Sequence, residues 1–234
     1  MIRTEDISQG RLDGLVTHAE KPRGGVVILP TITGVDAPMR EHARILAEAG
    51  YSSMVWNPYP GETPPTEIKA AQARAGKLND GALDAMSDCV SHLLDTLRLR
   101  LQRVAVLGFC LGGRYAVLLA AKDKRLAACV PYYPSIRVPM QPNQTLDAIA
   151  LAADIQCPVH LVHGTGDQVF LHPVFLKLRD VLEARKAATV AQVHPDAVHS
   201  FMRPDLQSVP ANAAATRLSW PQVMGFLEMS LAQA

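Results

Sequence analysis

Along the chain, short and wholly apolar runs alternate with longer stretches in which apolar residues return every three or four positions. The runs at 24–30 (GGVVILP), 52–59 (SSMVWNPY), 104–109 (VAVLGF), 126–133 (LAACVPYY), 158–164 (PVHLVHG) and 189–194 (TVAQVH) are rich in β-branched and aromatic residues and predict strands. Between them, helical spacing predicts helices over 38–50, 82–99, 111–121, 173–187 and 211–231. The first of these opens with proline and closes with glycine. In 82–99, Leu83, Met86, Val90, Leu93, Leu94 and Leu97 define one apolar face. Most of the strand runs show no apolar and polar alternation, so both of their faces must be covered. Strands that alternate with helices then predict the α/β class: a mainly parallel central sheet with helices on both faces, in one domain over residues 1–234. The polar stretch 61–80 predicts a loop with a short helix overhanging a site, and 139–150 predicts a lid segment.

Composition narrows the class of function. With 48% apolar and 19% charged residues, 234 residues suffice for a sizeable core. The 23 basic residues nearly balance the 22 acidic ones, leaving a formal charge of +1, which gives no surface field for nucleic acid or an anionic membrane. The first fifteen residues hold no apolar stretch of signal-peptide length, and no run reaches the roughly 18 apolar residues of a membrane span, so the expected location is the cytoplasm. Cys89, Cys110, Cys129 and Cys157 are far apart and form no C-x-x-C pair; reduced thiols are expected rather than a disulfide framework or zinc site.

One cysteine stands at a junction. Gly108-Phe109-Cys110-Leu111-Gly112 joins the strand at 104–109 to the helix at 111–121 and has the G-x-nucleophile-x-G form of a strand-to-helix elbow. Residues two before and two after the nucleophile must lack bulk there, and the helix presents unpaired N–H groups and its positive dipole end to the sulfur. A free thiol titrates near about 8.5, and such surroundings with a histidine lower it by one to several units. The competing reading is an inert buried cysteine beside glycines that only permit close packing. Asp167, just past the strand at 158–164, lies at a C-terminal strand end where open parallel sheets place ligands, and His199 follows the strand at 189–194. Asp167 also reads as a turn residue or helix cap, and His199 as a surface-loop histidine. The order nucleophile, acid, histidine is that of an α/β-hydrolase. His163, on an apolar strand, predicts a core residue. The spacing of His194, Asp196 and His199 matches no familiar metal-ligand pattern, so no metal is expected.

Three segments together, Gly-Phe-Cys-Leu-Gly-Gly at 108–113, His-Gly-Thr-Gly-Asp at 163–167 and His-Ser-Phe-Met-Arg at 199–203, resemble the dienelactone hydrolase family, and the likeness runs across essentially the whole chain. The resemblance implies an α/β-hydrolase fold and a Cys-Asp-His triad that cleaves esters or lactones through a thioacyl-enzyme, with no metal or organic cofactor. Cys110 would be the nucleophile, His199 the general base and then acid, and Asp167 the group that orients it. The backbone N–H groups of Leu111 and Ile32 would form the oxyanion hole. Two positions depart from the family pattern. Where its best-known members carry a glutamate that holds the cysteine proton, this chain has Thr31. A hydroxyl cannot take that proton at neutral pH, so Cys110 is expected to pair directly with His199. Of the two arginines with which family members anchor a substrate carboxylate, Arg203 has a clear match and Arg74 lies only in the right region.

Neutral or aryl esters and lactones are therefore the expected substrates. Thr31, Arg203 and Arg74 are the substrate-binding candidates, and Trp56, Tyr59, Tyr132 and Phe170 are walls or core. Two alternatives stand beside this reading: metal-independent attack of the same triad on an uncharged phosphotriester, and a non-catalytic hydrolase-fold protein whose Cys110 binds or senses redox state. The expected partner is the small-molecule ester, lactone or phosphotriester alone, with no nucleic acid or membrane, and the chain is expected as a monomer or small homo-oligomer.

Overall fold

In the computed structural model, which describes residues 2–65, 67–98 and 103–232, all six expected strands form. They are β3 (Gly24–Leu29), β4 (Tyr51–Trp56), β5 (Val104–Phe109), β6 (Leu126–Tyr132), β7 (Val159–Gly164) and β8 (Thr189–His194). They are preceded by β1 (Arg3–Gln9) and β2 (Leu12–His18), which the hydrophobic pattern does not reveal. Among the described residues the helices are α1 (Ala37–Glu48), α2 (Ile68–Ala75), α3 (Leu83–Thr96), α4 (Leu111–Lys122), α5 (Ala148–Leu151), α6 (His172–Glu183) and α7 (Pro210–Ala232). Leu99, the last residue of the helix expected over 82–99, lies outside the described residues. The helix expected over 173–187 stops at Glu183, because the Arg185 guanidinium reaches back to the Leu182 carbonyl and across to those of Ile155 and Cys157. Among the described residues no helix is long and apolar enough to cross a membrane.

The sheet order is β1-β2-β4-β3-β5-β6-β7-β8. From β4 through β8 all neighbours are parallel, and β1 and β2 form an antiparallel hairpin at the β4 edge. That hairpin turns in two residues, with Gly10 in the left-handed region at φ 61°. Both faces of the sheet are covered, as neighbouring residues show. A Cβ on Gly24 would meet Leu231 of α7, whereas one on Gly25 would meet Leu93 of α3. In β5 the Phe109 ring stacks on His42 of α1, while Gly108 lies against Gly112 and Ala116 of α4. The strands between are buried along their whole length, which explains their unbroken apolar sequence.

Topology places the site. From β3 the chain leaves to one side, through α1 to β4; from β5 it leaves to the other, through α4 to β6. The chain reverses direction between these adjacent strands, and the crevice beyond their C-terminal ends is where open α/β sheets bind ligands. Residues 30–36 leave β3 there and Cys110 leaves β5, while Asp167 and His199 follow β7 and β8 on the same edge.

A buried ion pair fastens the segments around this edge to α4. The Arg114 guanidinium donates to Asp80 Oδ1 at 2.6 Å, with only 2% and 3% of the two side chains exposed. Asp80 Oδ2 accepts the backbone N–H groups of Thr145 and Leu146, each at 2.8 Å, and Arg114 also donates to the Leu146 carbonyl. Burial opposes the charge on Asp80, but the Arg114 bond and the two amides outweigh it and hold the carboxyl below its ordinary range. Segment 139–150, expected as a lid, is instead pinned here, with Asn143 donating to the Leu78 carbonyl at 2.6 Å. Arg114→Ala would strand a buried carboxylate, and the expected loss is about 3–5 kcal/mol in chemical denaturation.

Candidate active site

The elbow departs from ordinary backbone geometry at one residue. Cys110 has φ 54° and ψ −112°, an arrangement that costs a non-glycine residue on the order of 1–3 kcal/mol and persists only where its surroundings impose it. Here they do: Cys110 N donates to the Tyr132 carbonyl, Ser135 N to the Cys110 carbonyl, and Gly112 N to the Pro30 carbonyl. The flanking glycines are required by contact. A Cβ on Gly108 would fall 2.1 Å from the Gly112 oxygen, and one on Gly112 would fall 2.0 Å from the Leu29 oxygen. Strand, helix and the loop after β3 can meet only where these positions carry no side chain. Cys110 ends up 8% exposed, at the N-terminus of α4. The Leu111 amide, first in that helix, has no intrahelical acceptor.

A continuous line of hydrogen-bonding distances runs from the sulfur. His199 Nε2 lies 3.0 Å from Cys110 Sγ, and His199 Nδ1 lies 2.8 Å from Asp167 Oδ2. The other carboxylate oxygen, Asp167 Oδ1, accepts the backbone N–H groups of Val169 at 2.7 Å and Phe170 at 2.8 Å. Asp167 is therefore the turn-capping residue of one sequence reading and the partner of His199 at once. The loop that carries His199 is braced by Asn212 Oδ1, which accepts the Val198 N–H, and by Thr165 Oγ1, which accepts that of Asp196. The edge of the Tyr133 ring meets the imidazole from the side, with centroids 5.5 Å apart. Burial alone would push the His199 imidazolium toward deprotonation. The charge on Cys110, the hydrogen bond with Asp167 and that with Cys110 together outweigh it and carry His199 up to about 10. His42, His160 and His163 are pushed by burial down to about 4, so each is neutral at physiological pH. His163 is wholly buried, stacked on Phe175 and 3.2 Å from His172, a core position as its strand predicted.

Beside the triad opens a cleft of about 270 Å³, lined by Thr31, Ile32, Thr33 and Asp36 from the loop after β3, by Tyr133, and by residues 202–205 after His199. Pro65, Glu67 and Ile68 overhang it, as expected of the polar stretch 61–80. A larger hollow of about 470 Å³ lies at the opposite edge, around the N-terminal ends of β6 and β7. It lies at the far end of the strands from Cys110, whereas the smaller cleft shares Tyr133 with the His199 imidazole and is therefore the one next to the candidate nucleophile. Among the described residues no group of three or more His, Cys, Asp or Glu side chains is arranged to hold a metal ion.

The substrate-binding candidates take separate positions. Thr31 and Arg203 line the cleft. Arg203 is half exposed and engaged with Asp205 through two bonds of 3.0 and 2.6 Å. Arg74 is turned away into the protein: its guanidinium lies 3.7 Å from the centre of the Tyr59 ring and donates to the carbonyls of Ile32, Thr33 and Thr63. The loop's own hydrogen bonds use the amides of Thr33, Gly34 and Asp36 and leave that of Ile32 out. Trp56, Tyr59, Tyr132 and Phe170 are all core. The aromatic wall is Tyr133, which the sequence reading missed. Its signal was its place directly after β6, on the same edge as Cys110.

Comparison with known proteins returns a consistent picture. The profile of the dienelactone hydrolase family matches residues 12–231. The carboxymethylenebutenolidase of Rhodococcus opacus is 28% identical over 225 residues, covering 92% of this chain and 85% of that protein. The crystal structure of a putative dienelactone hydrolase from Klebsiella pneumoniae superposes with a TM-score of 0.82 at 23% identity, covering 97% of this chain and 99% of that one. A dienelactone hydrolase-like promiscuous phosphotriesterase from metagenomic libraries gives a TM-score of 0.80 at 21% identity, over 97% and 98% of the two chains. These two structures share the α/β-hydrolase architecture.

Proposed function

The chain belongs to the dienelactone hydrolase family, whose members hydrolyse ester or lactone bonds, and from that premise we propose that it does so through a thioacyl-enzyme formed on Cys110. The observation that carries this reading is the unbroken line from Sγ through the imidazole to Asp167, at 3.0 and 2.8 Å. In the resting enzyme the imidazolium already holds the proton and the sulfur is the nucleophile. The thiolate attacks the carbonyl carbon, and the N–H groups of Leu111 and Ile32 receive the developing oxyanion. As the tetrahedral intermediate collapses, the carbon–oxygen bond of the leaving group breaks and His199 gives that oxygen its proton. The imidazole, now neutral, takes a proton from water as the water oxygen bonds to the thioester carbon. The carbon–sulfur bond then breaks, the acid leaves, and the imidazolium and thiolate are restored. Asp167 stays ionised and fixes which imidazole nitrogen faces the sulfur.

The pH dependence follows from the proton on His199. An alkyl alkoxide needs that proton to leave, so kcat/KM on an alkyl ester, which reports the free enzyme, is expected to fall as pH rises through about 10, the value to which His199 is lifted. A p-nitrophenolate leaves unprotonated, and its ester is expected to show no such decline after background subtraction. Labelling by iodoacetamide tests the resting state directly. At neutral pH, His199→Ala is expected to label more slowly than wild type, because the imidazole 3.0 Å from the sulfur is gone. Equal labelling rates in the two proteins would contradict the ion pair.

The same sulfur could attack phosphorus, in keeping with the similarity to the promiscuous phosphotriesterase from metagenomic libraries. Among the described residues the one cation lining the cleft, Arg203, is paired with Asp205, so an uncharged triester suits this second reading best. A paraoxon-like triester is expected to turn over more slowly than a p-nitrophenyl carboxylic ester; the reverse order would favour the phosphoryl reaction.

A further inference from the structure

Three side chains along the cleft form a relay whose direction is fixed. Thr33 Oγ1 lies 2.5 Å from Asp36 Oδ2, and Thr31 Oγ1 lies 2.6 Å from Thr33 Oγ1. The Asp36 carboxylate is an acceptor only. It also caps α1, taking the Met39 N–H on Oδ1 at 3.0 Å, where a negative charge is favoured by the helix dipole. Thr33 must therefore spend its single hydroxyl proton on Asp36, and Thr31 must spend its own on Thr33. What Thr31 has left is two lone pairs, one of which receives the Thr33 N–H at 3.3 Å. The other is the relay's remaining valence, an acceptor on a residue that lines the cleft next to Ile32.

The charges around it agree. Among the described residues, Asp36, Glu67 and Asp205 line the cleft against the one cation Arg203, which Asp205 already holds. Arg74 is spent on the loop carbonyls and the Tyr59 face. A substrate carboxylate would meet a lone pair and excess negative charge here, with the nearby guanidinium groups already engaged.

We infer that this cleft selects esters or lactones whose acyl part carries a hydrogen-bond donor, a hydroxyl or an ammonium group close to the scissile carbonyl, and that Thr31 is the residue that reads it. The inference rests on the ester-hydrolase reading above. It makes Thr31 a specificity-determining residue, and Asp36 the positioning residue that sets the polarity of Thr31 through Thr33.

The test compares p-nitrophenyl esters of butyric, 3-hydroxybutyric and glutaric acids, the last as its monoester, with background hydrolysis subtracted. In wild type, kcat/KM is expected to be about five-fold or more higher for the hydroxy ester than for butyrate, as a hydrogen bond that the competitor cannot make allows, and lowest for the carboxylate. In Thr31→Val the hydroxy-to-butyrate ratio is expected to fall to about one. Asp36→Asn retains an oxygen for the Met39 N–H but offers Thr33 an amide N–H. The relay can then run the other way, with Thr31 donating into the cleft, and the carboxylate-to-butyrate ratio is expected to rise. Each ratio is internal to one variant, so a change in the amount of folded protein does not alter it. A wild-type preference for the carboxylate ester, or a hydroxy preference that survives in Thr31→Val, would overturn the inference. Turnover of all three esters at equal rates with the thioacyl adduct on Cys110 would sink this inference alone. Turnover of none would remove the ester-hydrolase reading, and this inference with it.

Discussion

Cys110→Ala is expected to lower kcat/KM on a p-nitrophenyl ester by about ten-thousand-fold or more, the scale seen when a nucleophile is deleted from a unit that works together. The substitution keeps the Cβ and removes only the sulfur, so the elbow's packing against the loop after β3 and its backbone hydrogen bonds to Tyr132 and Ser135 should survive. A near-native thermal transition in the inactive variant would separate chemistry from folding. What remains of activity would come from the oxyanion hole and substrate binding, with water in place of sulfur. Cys110→Ser should fall between the two. Its hydroxyl holds its proton far more tightly than a thiol, so the resting ion pair with His199 cannot form, yet His199 at this position can still act as a general base on oxygen.

The second large effect is expected at Asp167→Asn, which should cost about ten-thousand-fold in kcat while leaving the protein folded. An asparagine keeps one oxygen for the amides of Val169 and Phe170, the two bonds that Oδ1 receives now. That constraint turns its NH₂ group toward His199 Nδ1. Nδ1 must then accept, the imidazole proton moves to Nε2, and the ring loses the carboxylate that stabilises its charged form. Of the groups that hold His199 up to about 10 against burial, the Cys110 sulfur would remain and the carboxylate would be lost, so His199 is expected to fall below that value. The pH profile is the readout that distinguishes this from simple loss of structure: the fall in kcat/KM on an alkyl ester is expected to set in at lower pH in Asp167→Asn than in wild type.

The parts of this fold that could be read in advance are those whose physics is local. β3, β5, β6 and β7 are buried on both faces, and that environment writes an uninterrupted apolar run into the sequence. The elbow was legible because two glycines are forced by backbone contacts of 2.1 and 2.0 Å, and the spacing of Asp167 and His199 after their strands followed from the same parallel sheet. β1 escaped notice because it is exposed almost throughout; its existence depends on pairing with β2 and, through β2, with β4. The cleft was less legible still. Arg74 reaches the Ile32 and Thr33 carbonyls across some forty residues of chain, and no local pattern encodes such a contact. Asp36 carried a signal that was not used: an acidic residue two positions before Pro38, at the start of a helix, is a natural N-cap. Its second role, ordering two threonine hydroxyls, emerges only when the loop is folded.

The most direct test of the account is rapid acid quenching of wild-type enzyme during turnover of a p-nitrophenyl ester, followed by intact mass measurement and peptide mapping. The predicted result is a mass gain of one acyl group per chain, formed as fast as the first equivalent of p-nitrophenol is released and located on the peptide that contains Cys110. Steady release of p-nitrophenol with no adduct, or with the acyl group on any other residue, would contradict it.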